Sequence, residues 1–297
     1  MNAKARALRA TTDRLRQERV PFVHARVVLA ERPTSAKPGD EAIVLADGTI
    51  EGFVGGQCAL ATLRAQGLAV LESRESTLLR IAPSPEPDQP GKTVVHNPCQ
   101  SGGTLEIFME PVLPAPLVRV QGTTPIGVAL AQVGDALGYD IQAWDTADAA
   151  DLSTTDAVIV ASHGNGEETV LEAAVRSGVP YVGLVASRKR GAAVLQALDL
   201  TDDEKARIHT PAGLDIGART AEEVALSILA EVIANRGKQP RESSATSVGT
   251  AVDPVCHMDV VMVPSSLHAE VDGTTWWFCC QGCLDRFVAN PSAFASA

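Results

Sequence analysis

Hydrophobic and polar positions follow one pattern in the first part of the chain. Short apolar runs bounded by turn residues predict strands at 22–30, 77–82, 92–96 and 104–110. Two further runs flank Asp47-Gly48 and predict a β-hairpin, whereas helical periodicity predicts helices over 1–19 and 55–73. We therefore expect an α+β domain over 1–114, which ends in the proline-rich stretch EPVLPAPL.

The pattern changes after residue 114. Apolar runs typical of strands, such as LVRVQG, DAVIVASHG and VPYVGLVAS, alternate with helical segments such as PIGVALAQVGDALG. This alternation predicts a parallel sheet covered by helices on both faces, as in a Rossmann-like domain. We expect this domain over 115–237, and its last helix begins at a capping signal formed by Thr220 and Glu223.

A third pattern begins at residue 238. Residues 238–252 are rich in Ser, Thr and Gly and lack apolar periodicity, so they predict a flexible linker. Residues 253–297 predict a small C-terminal module, in which two short strands meet at Asp272-Gly273 and lead into a helix. The predicted fold class is α/β, with an N-terminal α+β domain, a Rossmann-like parallel-sheet domain and this small module.

Charge and hydropathy restrict the partners and the location. The net charge of −11 makes nucleic acid and anionic membranes poor partners. No apolar run approaches the roughly 18 residues of a membrane span, and the first residues lack the apolar core of a signal peptide. We therefore expect a cytoplasmic protein, and in a reducing compartment clustered cysteines favour metal or redox chemistry over disulfides.

Four of the six cysteines lie in the small module. Cys279 and Cys283 are four residues apart at a predicted helix start, Cys280 lies between them, and Cys256 comes from the far end of the module. A distant thiolate with a close pair is typical of a metal site, and thiolates select soft metals such as copper(I), zinc or iron. A module of about 45 residues also needs such a site, because its core is small.

The stretch from DPVCHMDV to VDGTTWWFCCQGCLDRFVANPSAF resembles a YHS domain and covers the whole module. This resemblance implies metal binding through Cys256, Cys279 and Cys283. Two positions depart from the family pattern: His257 replaces the usual Gly, and Cys280 replaces a small polar residue. Both add soft-metal donors, and Cys280 is either a further ligand or a small buried hydrophobic residue.

A glycine-containing loop lies at the first strand–helix junction of the Rossmann-like domain, in VRVQGTTPIGVALA. Gly122 and Gly127 match the first and third glycines of the dinucleotide-binding pattern G-x-G-x-x-G, but Thr124 replaces the second. Pro125 also removes an amide donor, and Asp145 ends the next strand near the usual ribose-binding position. A nucleotide-binding fold is therefore predicted, together with poor NAD(P) affinity.

Four segments resemble the XdhC/CoxI accessory-factor family: VGGQC, CQSGGTLEIFMEP, YVGLVASRKR and IHTPAGLDIGARTAEEVALSILAEVIANRG. This resemblance extends over nearly all of 20–237. Proteins of this family mature molybdenum hydroxylases such as xanthine and carbon monoxide dehydrogenase, and they bind the molybdenum cofactor while its sulfur ligand is installed. The resemblance implies a pterin dinucleotide form of that cofactor, a hydroxylase apo-enzyme as partner and a sulfur donor such as a cysteine desulfurase. We also expect a homo-oligomer.

Two cysteines outside the module are candidate catalytic residues. Cys58 follows a glycine pair at a predicted helix start, where the helix dipole lowers the pKa of a thiol and free amides suit an anion. Cys99 lies on a second glycine-containing loop of the same domain. The candidate cofactor-binding glycines of the two loops are Gly55, Gly56, Gly102 and Gly103. The alternative is that both cysteines are inert and buried.

Three further positions in the Rossmann-like domain are candidates for cofactor binding. His163 ends a strand at the sheet edge where such domains bind ligands, although a capping or packing role is the alternative. Asp215 belongs to the GLDIGA segment that carries the family resemblance. The basic run at 188–190 either holds a phosphate or starts a solvated helix.

These features together indicate a maturation factor that binds the molybdenum cofactor and also handles a metal, rather than a turnover enzyme. A carbon monoxide dehydrogenase of the copper type needs a Cu(I) ion bridged by sulfur to molybdenum, and a tethered soft-metal module could deliver that ion. One alternative is an NAD(P)-dependent oxidoreductase, which Thr124 disfavours. Another is a metal-binding sensor or metallochaperone, although a regulator of transcription would need a DNA-binding element.

Overall fold

The computed structural model describes residues 3–87, 89–97, 103–144, 152–162, 164–235 and 249–294. The chain divides into two compact units. Unit 1 combines Met1–Pro114 with Ser244–Ala297, and unit 2 consists of Ala115–Ser243. The segment predicted as a small module thus belongs to the same compact unit as the first domain.

Unit 1 contains a six-stranded sheet and two helices from the first domain. In chain order its elements are α1 (Ala3–Gln17), β1 (Phe22–Glu31), β2 (Glu41–Leu45), β3 (Ile50–Gly52), α2 (Gln57–Ser73), β4 (Thr77–Ala82), β5 (Lys92–His96) and β6 (Thr104–Val112). The strand order is β3-β2-β1-β6-β4-β5, and only the β4–β5 pair is parallel. The predicted hairpin is present, with Gly48 in the left-handed region that its turn requires (φ 79°).

Unit 2 is a five-stranded parallel sheet between helices. Its elements are β7 (Leu117–Gln121), α3 (Pro125–Ala136), β8 (Asp140–Ala143), β9 (Ala157–Val160), α4 (Glu167–Arg176), β10 (Tyr181–Leu184), α5 (Arg188–Ala197), α6 (Asp202–Lys205), β11 (Ile208–His209) and α7 (Ala221–Asn235). The strand order is β11-β10-β9-β7-β8. Helices α3 and α7 share one apolar core with the sheet, and α4 and α5 share the other. The predicted α/β fold class is confirmed.

The last part of unit 1 is built around aromatic side chains. Its elements are β12 (Thr250–Val252), β13 (Asp259–Val261), β14 (Leu267–Val271), β15 (Thr274–Phe278), α8 (Gln281–Ala289) and a 3₁₀ turn (Pro291–Ala293). Two hairpin-like sheets pair β12 with β13 and β14 with β15. Phe287 is fully buried and lies 5.2 Å from the rings of both Trp276 and Phe278. The predicted linker is described only from residue 249, and its last three residues form β12.

Helix α2 is covered on two sides. On one side Gly67 lies so close to Val44 of β2 that a Cβ atom at Gly67 would come within 2.9 Å of the valine side chain. On another side Arg64 donates hydrogen bonds to the carbonyl oxygen of Gly48 (2.7 Å) and to Ser266 of the module (3.4 Å). A helix packed on two sides carries apolar residues around most of its circumference, which is why the segment is so rich in Ala and Leu.

Among the residues that the structure describes, no helix combines the length and the apolar character needed to cross a membrane. The longest apolar helix of unit 1, α2, is instead buried between the sheet and the module.

Candidate metal centre

Three cysteines and one aspartate of the module converge. The Sγ atom of Cys279 lies 3.4 Å from that of Cys256 and 3.8 Å from that of Cys283. A carboxylate oxygen of Asp253 completes a group whose ligand atoms all lie within 4.8 Å of one another. The structure therefore brings together the three cysteines that the YHS resemblance assigns to a metal.

A fourth and a fifth thiol join this group. Cys58, the second residue of α2, lies with Cys279 and Cys280 in another set of sulfur atoms within 4.8 Å of one another. Cys279 belongs to both sets. The predicted helix-start cysteine of the first domain thus faces the module, and all five thiols lie in one apolar cluster with Ala61 and Phe278.

Two helix N-termini point at this cluster. Cys58 is in the first turn of α2, whose preceding residue Gly56 has no side chain to cap the free amides. Cys283 is in the first turn of α8, for which Cys280 is the capping position. A thiolate formed here on metal binding would therefore face the positive ends of both helix dipoles. Cys279 and Cys280 precede α8 instead of lying within it, because the helix begins at Gln281, two residues after the predicted start at Cys279.

Asp253 organises the loop that carries the cysteines. Its side chain is fully buried, Oδ1 accepts a hydrogen bond from the amide of Val255 (2.9 Å), and Oδ2 accepts one from the amide of Cys279 (2.8 Å). One carboxylate therefore ties the Cys256 turn to the end of β15. Cysteine spacing did not point to this residue, although Asp before Pro254 is a typical signal for such a turn.

The thiols differ in their pKa values. The pKa of Cys256 is lowered, mainly by its hydrogen bond with the thiol of Cys279. The same contact, the contact with Cys58 and burial raise the pKa of Cys279. Burial also raises the pKa values of Cys280 and Cys283. Among these four thiols of the module, Cys256 is the one whose pKa is lowered. A metal ion would displace the protons of the other coordinating thiols on binding.

This donor set fits a soft metal. Sulfur is the dominant ligand atom, and the cysteines pack with aromatic rings in one apolar cluster. The two histidines of the module are outside both ligand groups in the described part of the chain. His257 is exposed with φ 61°, the left-handed conformation that explains the usual Gly at this position. His268 contacts the carbonyl oxygen of Ser266 (2.9 Å).

The glycine-containing loop of unit 2 satisfies one amide group with its own side chain. The hydroxyl of Thr124 accepts a hydrogen bond from the amide of Gly127 (3.3 Å), and Pro125 has no amide hydrogen to offer. A Cβ atom at Gly122 would collide with the backbone of Ala161, and one at Gly127 would lie 2.6 Å from the Gly122 carbonyl oxygen. Both glycines are thus required for close backbone packing. At this helix end the Gly127 amide is already engaged and Pro125 offers no donor to a phosphate.

A cleft of about 660 Å³ lies in unit 2 where the chain leaves β10 and β11. It is lined by residues of the following loops, including Ser187, Arg188 and Asp215. Arg190 is paired with the buried carboxylate of Glu167. The basic run at the start of α5 is therefore partly neutralised, whereas Arg188 and Asp215 are exposed at the cleft.

A partly buried carboxylate holds the loop that carries Asp215. Glu231 of α7 accepts hydrogen bonds from the hydroxyl of Tyr181 (2.6 Å) and the amide of Gly213 (2.7 Å), and it contacts Nδ1 of His209 (3.0 Å). Burial and the adjacent Glu231 raise the pKa of Tyr181. No sequence motif indicated this network, because its members come from three separate elements.

The other predicted site residues divide into two groups. Gly55 and Gly103 occupy crowded positions: a Cβ atom at Gly55 would lie 3.1 Å from the side chain of Ala59, and one at Gly103 would collide with the carbonyl oxygen of Pro33. Gly56 has open space around it. Four predicted site residues lie outside the residues that the structure describes: Cys99, Gly102, Asp145 and His163.

Three family models match successive parts of the chain. The XdhC and CoxI family model matches residues 15–82, the XdhC Rossmann domain model matches 118–232, and the YHS domain model matches 251–297. The matched ranges include Cys58 in the first domain and the other four clustered cysteines in the third.

Three curated proteins are similar to the chain. The uncharacterized protein YqeB of Escherichia coli is 25% identical over 257 residues, which cover 76% of this chain and 46% of YqeB. The molybdenum cofactor insertion chaperone PaoD of Escherichia coli is 31% identical over 182 residues, which cover 58% of this chain and 55% of PaoD. A protein of Bacillus subtilis named as a probable xanthine dehydrogenase component is 26% identical over 158 residues, which cover 45% of this chain and 47% of that protein.

The chain spans about half the length of these relatives. The three family models match the same regions in which sequence segments resemble the XdhC/CoxI family and the YHS domain. The chain thus combines a domain of the XdhC and CoxI family, an XdhC Rossmann domain and a YHS domain.

Proposed function

We propose that the protein is a maturation factor for a molybdenum hydroxylase of the xanthine or carbon monoxide dehydrogenase type. It binds the molybdenum cofactor, assists the installation of the sulfur ligand or a metal, and supports insertion into the apo-enzyme. The family matches support this proposal, as does the similarity to a protein named as a molybdenum cofactor insertion chaperone.

The observation that carries the proposal is the position of Cys58. Its thiol comes from the XdhC and CoxI domain, yet it lies with the thiols of Cys279 and Cys280 from the YHS domain. A soft metal ion held by the module is therefore in reach of a thiol of the domain that the family uses for cofactor maturation. Such an ion is cargo in this proposal, destined for the hydroxylase.

The cluster has the properties of a transfer site. Most of its sulfur atoms are buried and protected from water, whereas Cys256 and Cys280 are half-buried. An incoming thiol of a donor or client can therefore exchange with the ligand at either of these two positions. Thiolate exchange keeps the ion coordinated throughout, which is how a soft metal avoids release into water.

The cofactor and the partners belong to the same proposal. The exposed Arg188 and the loop amides at the cleft of unit 2 suit the phosphates of a pterin dinucleotide. The partners are the hydroxylase apo-enzyme and a sulfur donor such as a cysteine desulfurase, and the protein acts in the cytoplasm as a homo-oligomer. Cys99 and the glycines beside it provide the second thiol loop of the proposal.

The rival function is an NAD(P)-dependent oxidoreductase. This function needs a glycine loop with amides directed at a pyrophosphate, but the Thr124 hydroxyl already accepts from the Gly127 amide. We expect calorimetry to detect at most weak binding of NADH or NADPH. Tight binding of either nucleotide would favour the oxidoreductase instead.

The experiment that tests the proposal is purification under anaerobic conditions from a host that makes the molybdenum cofactor. We expect molybdenum, pterin and a soft metal to co-purify, and we expect Cys279→Ser to lose the soft metal while it retains the pterin. A protein that carries neither pterin nor metal after such a purification would contradict the proposed function.

A further inference from the structure

We infer that the five clustered thiols form two adjoining soft-metal sites that share the sulfur of Cys279. Site A consists of Cys256, Cys279 and Cys283, beside Asp253, and site B consists of Cys58, Cys279 and Cys280. Site B is composite, because one ligand comes from the XdhC and CoxI domain and two come from the YHS domain. This inference rests on the metal-handling part of the proposed function and extends it to a pair of Cu(I) ions.

The geometry separates two sets of ligands. In each set the ligand atoms all lie within 4.8 Å of one another, and only Cys279 is common to both. Each set thus offers three sulfur atoms around its own centre. A thiolate sulfur has several lone pairs, so the Cys279 sulfur can coordinate one ion on each side.

The number of sulfurs favours copper(I) in site B. Zinc in proteins almost always takes four ligands, and site B offers three thiols without a carboxylate or imidazole among the described residues. Copper(I) is soft and is selected by thiolates. Two Cu(I) ions neutralise two of the five thiolate charges where one Cu(I) ion neutralises one, which matters in an apolar cluster.

The surroundings hold the two halves of site B together. The side chain of Gln57 accepts a hydrogen bond from the amide of Gln281 (2.9 Å), so the residues next to Cys58 and Cys280 are linked directly. Each α-helix that contributes a ligand also directs its positive end at the sulfurs. Binding is a simple exchange in which each coordinating thiol releases a proton to water and copper stays in the Cu(I) state.

The test is an anaerobic titration of the full-length protein with Cu(I), in competition with a chromogenic Cu(I) chelator. We expect two Cu(I) ions per chain for the wild type. Cys58→Ser and Cys280→Ser should each bind one ion, because site A remains complete. Ala61→Ser introduces a hydroxyl into the same apolar cluster without removing a thiol, so it should still bind two.

Circular dichroism of each variant checks that the fold is intact, and Cys58→Ala provides a second, apolar replacement. X-ray absorption of the wild type should contain a copper–copper scattering path that Cys58→Ala lacks. A wild type that binds one ion, or a Cys58 variant that still binds two, would overturn the two-site inference alone. A wild type that binds no soft metal would overturn the metal-handling part of the proposed function as well.

Discussion

The side-chain oxygen of Gln57 accepts the backbone amide hydrogen of Gln281 at 2.9 Å, although the two residues are 224 positions apart in the chain. Gln57 begins α2 of the first domain and Gln281 begins α8 of the YHS domain. The side chain of Gln57 therefore provides an acceptor for a free amide in the first turn of α8. This contact aligns the two helix starts beside the thiol cluster.

Replacing Gln57 with Ala should loosen this attachment. The loss of one exposed hydrogen bond at a helix start should cost about 0.5–1.5 kcal/mol. Hydrogen exchange should become faster at the amides of α8, and the denaturant midpoint of unit 1 should fall. Gln66→Ala removes the same side chain further along α2 and serves as the control. Equal effects of the two substitutions would show that the Gln57 contact has no special role.

Asp253→Asn should disturb the metal centre without removing a sulfur. In the wild type Oδ1 of Asp253 accepts a hydrogen bond from the amide of Val255, and Oδ2 accepts one from the amide of Cys279. Asparagine has one oxygen, and its amide nitrogen cannot accept, so one of the two hydrogen bonds is lost. We expect a loss of about 1–3 kcal/mol in unfolding free energy and weaker metal retention. Asp259→Asn, at an exposed position of the same domain, is the control. Unchanged stability and metal content in the Asp253 variant would contradict the positioning role.

The sequence predicted the elements whose pattern is local. The alternating strands and helices of unit 2, the hairpin at Asp47-Gly48 and the capping signal at Thr220 are all present, the last with reciprocal hydrogen bonds to Glu223. Each of these features depends on residues that are close in the chain. Short elements such as β11 and β13, of two and three residues, carry too little pattern to be predicted.

The candidate site was predicted only in part, because its halves come from distant segments. Cysteine spacing indicated the candidate ligands within the YHS domain, but nothing in the local sequence of Cys58 indicates that it lies beside Cys280. The sequence also suggested a nucleotide loop at Gly122, whereas the packing of that glycine against Ala161 depends on how β7 and β9 pair. Contacts of this kind depend on tertiary structure.

The stability of unit 2 should depend on pH through Glu167. Burial raises the pKa of this carboxyl, but the hydrogen bonds from Arg190 and the Gly164 amide outweigh burial and bring it below the ordinary value of 4.5. A lowered pKa stabilises the folded state above the unfolded-state pKa, and this contribution is lost as pH falls through the folded-state pKa.

We therefore expect wild-type stability to fall more steeply than that of Glu167→Gln between about pH 5 and pH 3. Thermal unfolding at a series of pH values measures this difference. Glu168→Gln changes the exposed neighbouring carboxyl and should follow the wild type. If the Glu167 variant has the same pH dependence as the wild type, the ion pair with Arg190 does not stabilise the fold.

Glu231→Gln should release the loop at the cleft of unit 2. The hydroxyl of Tyr181 and the amide of Gly213 both donate to Oε2 of Glu231, and Nδ1 of His209 contacts Oε1. A glutamine has one acceptor oxygen and no charge, so it cannot serve all three groups and it weakens the hydrogen bonds that remain. We expect faster hydrogen exchange over 211–218 and a loss of about 1–3 kcal/mol. Glu222→Gln at an exposed position of the same helix is the control. Exchange rates that stay at the wild-type level would contradict this role of Glu231.

The central claim is that maturation of a molybdenum hydroxylase depends on the five clustered thiols that the XdhC and CoxI domain and the YHS domain contribute together. The direct measurement uses a native host that lacks this protein. The xanthine-oxidising or carbon monoxide-oxidising enzyme is purified from it, and its specific activity and its molybdenum, sulfur and copper content are determined. We expect an inactive hydroxylase that is restored by the wild type and by Ala61→Ser, but not by Cys58→Ser or Cys279→Ser. A fully active hydroxylase in the absence of the protein, or full restoration by Cys279→Ser, would contradict the claim.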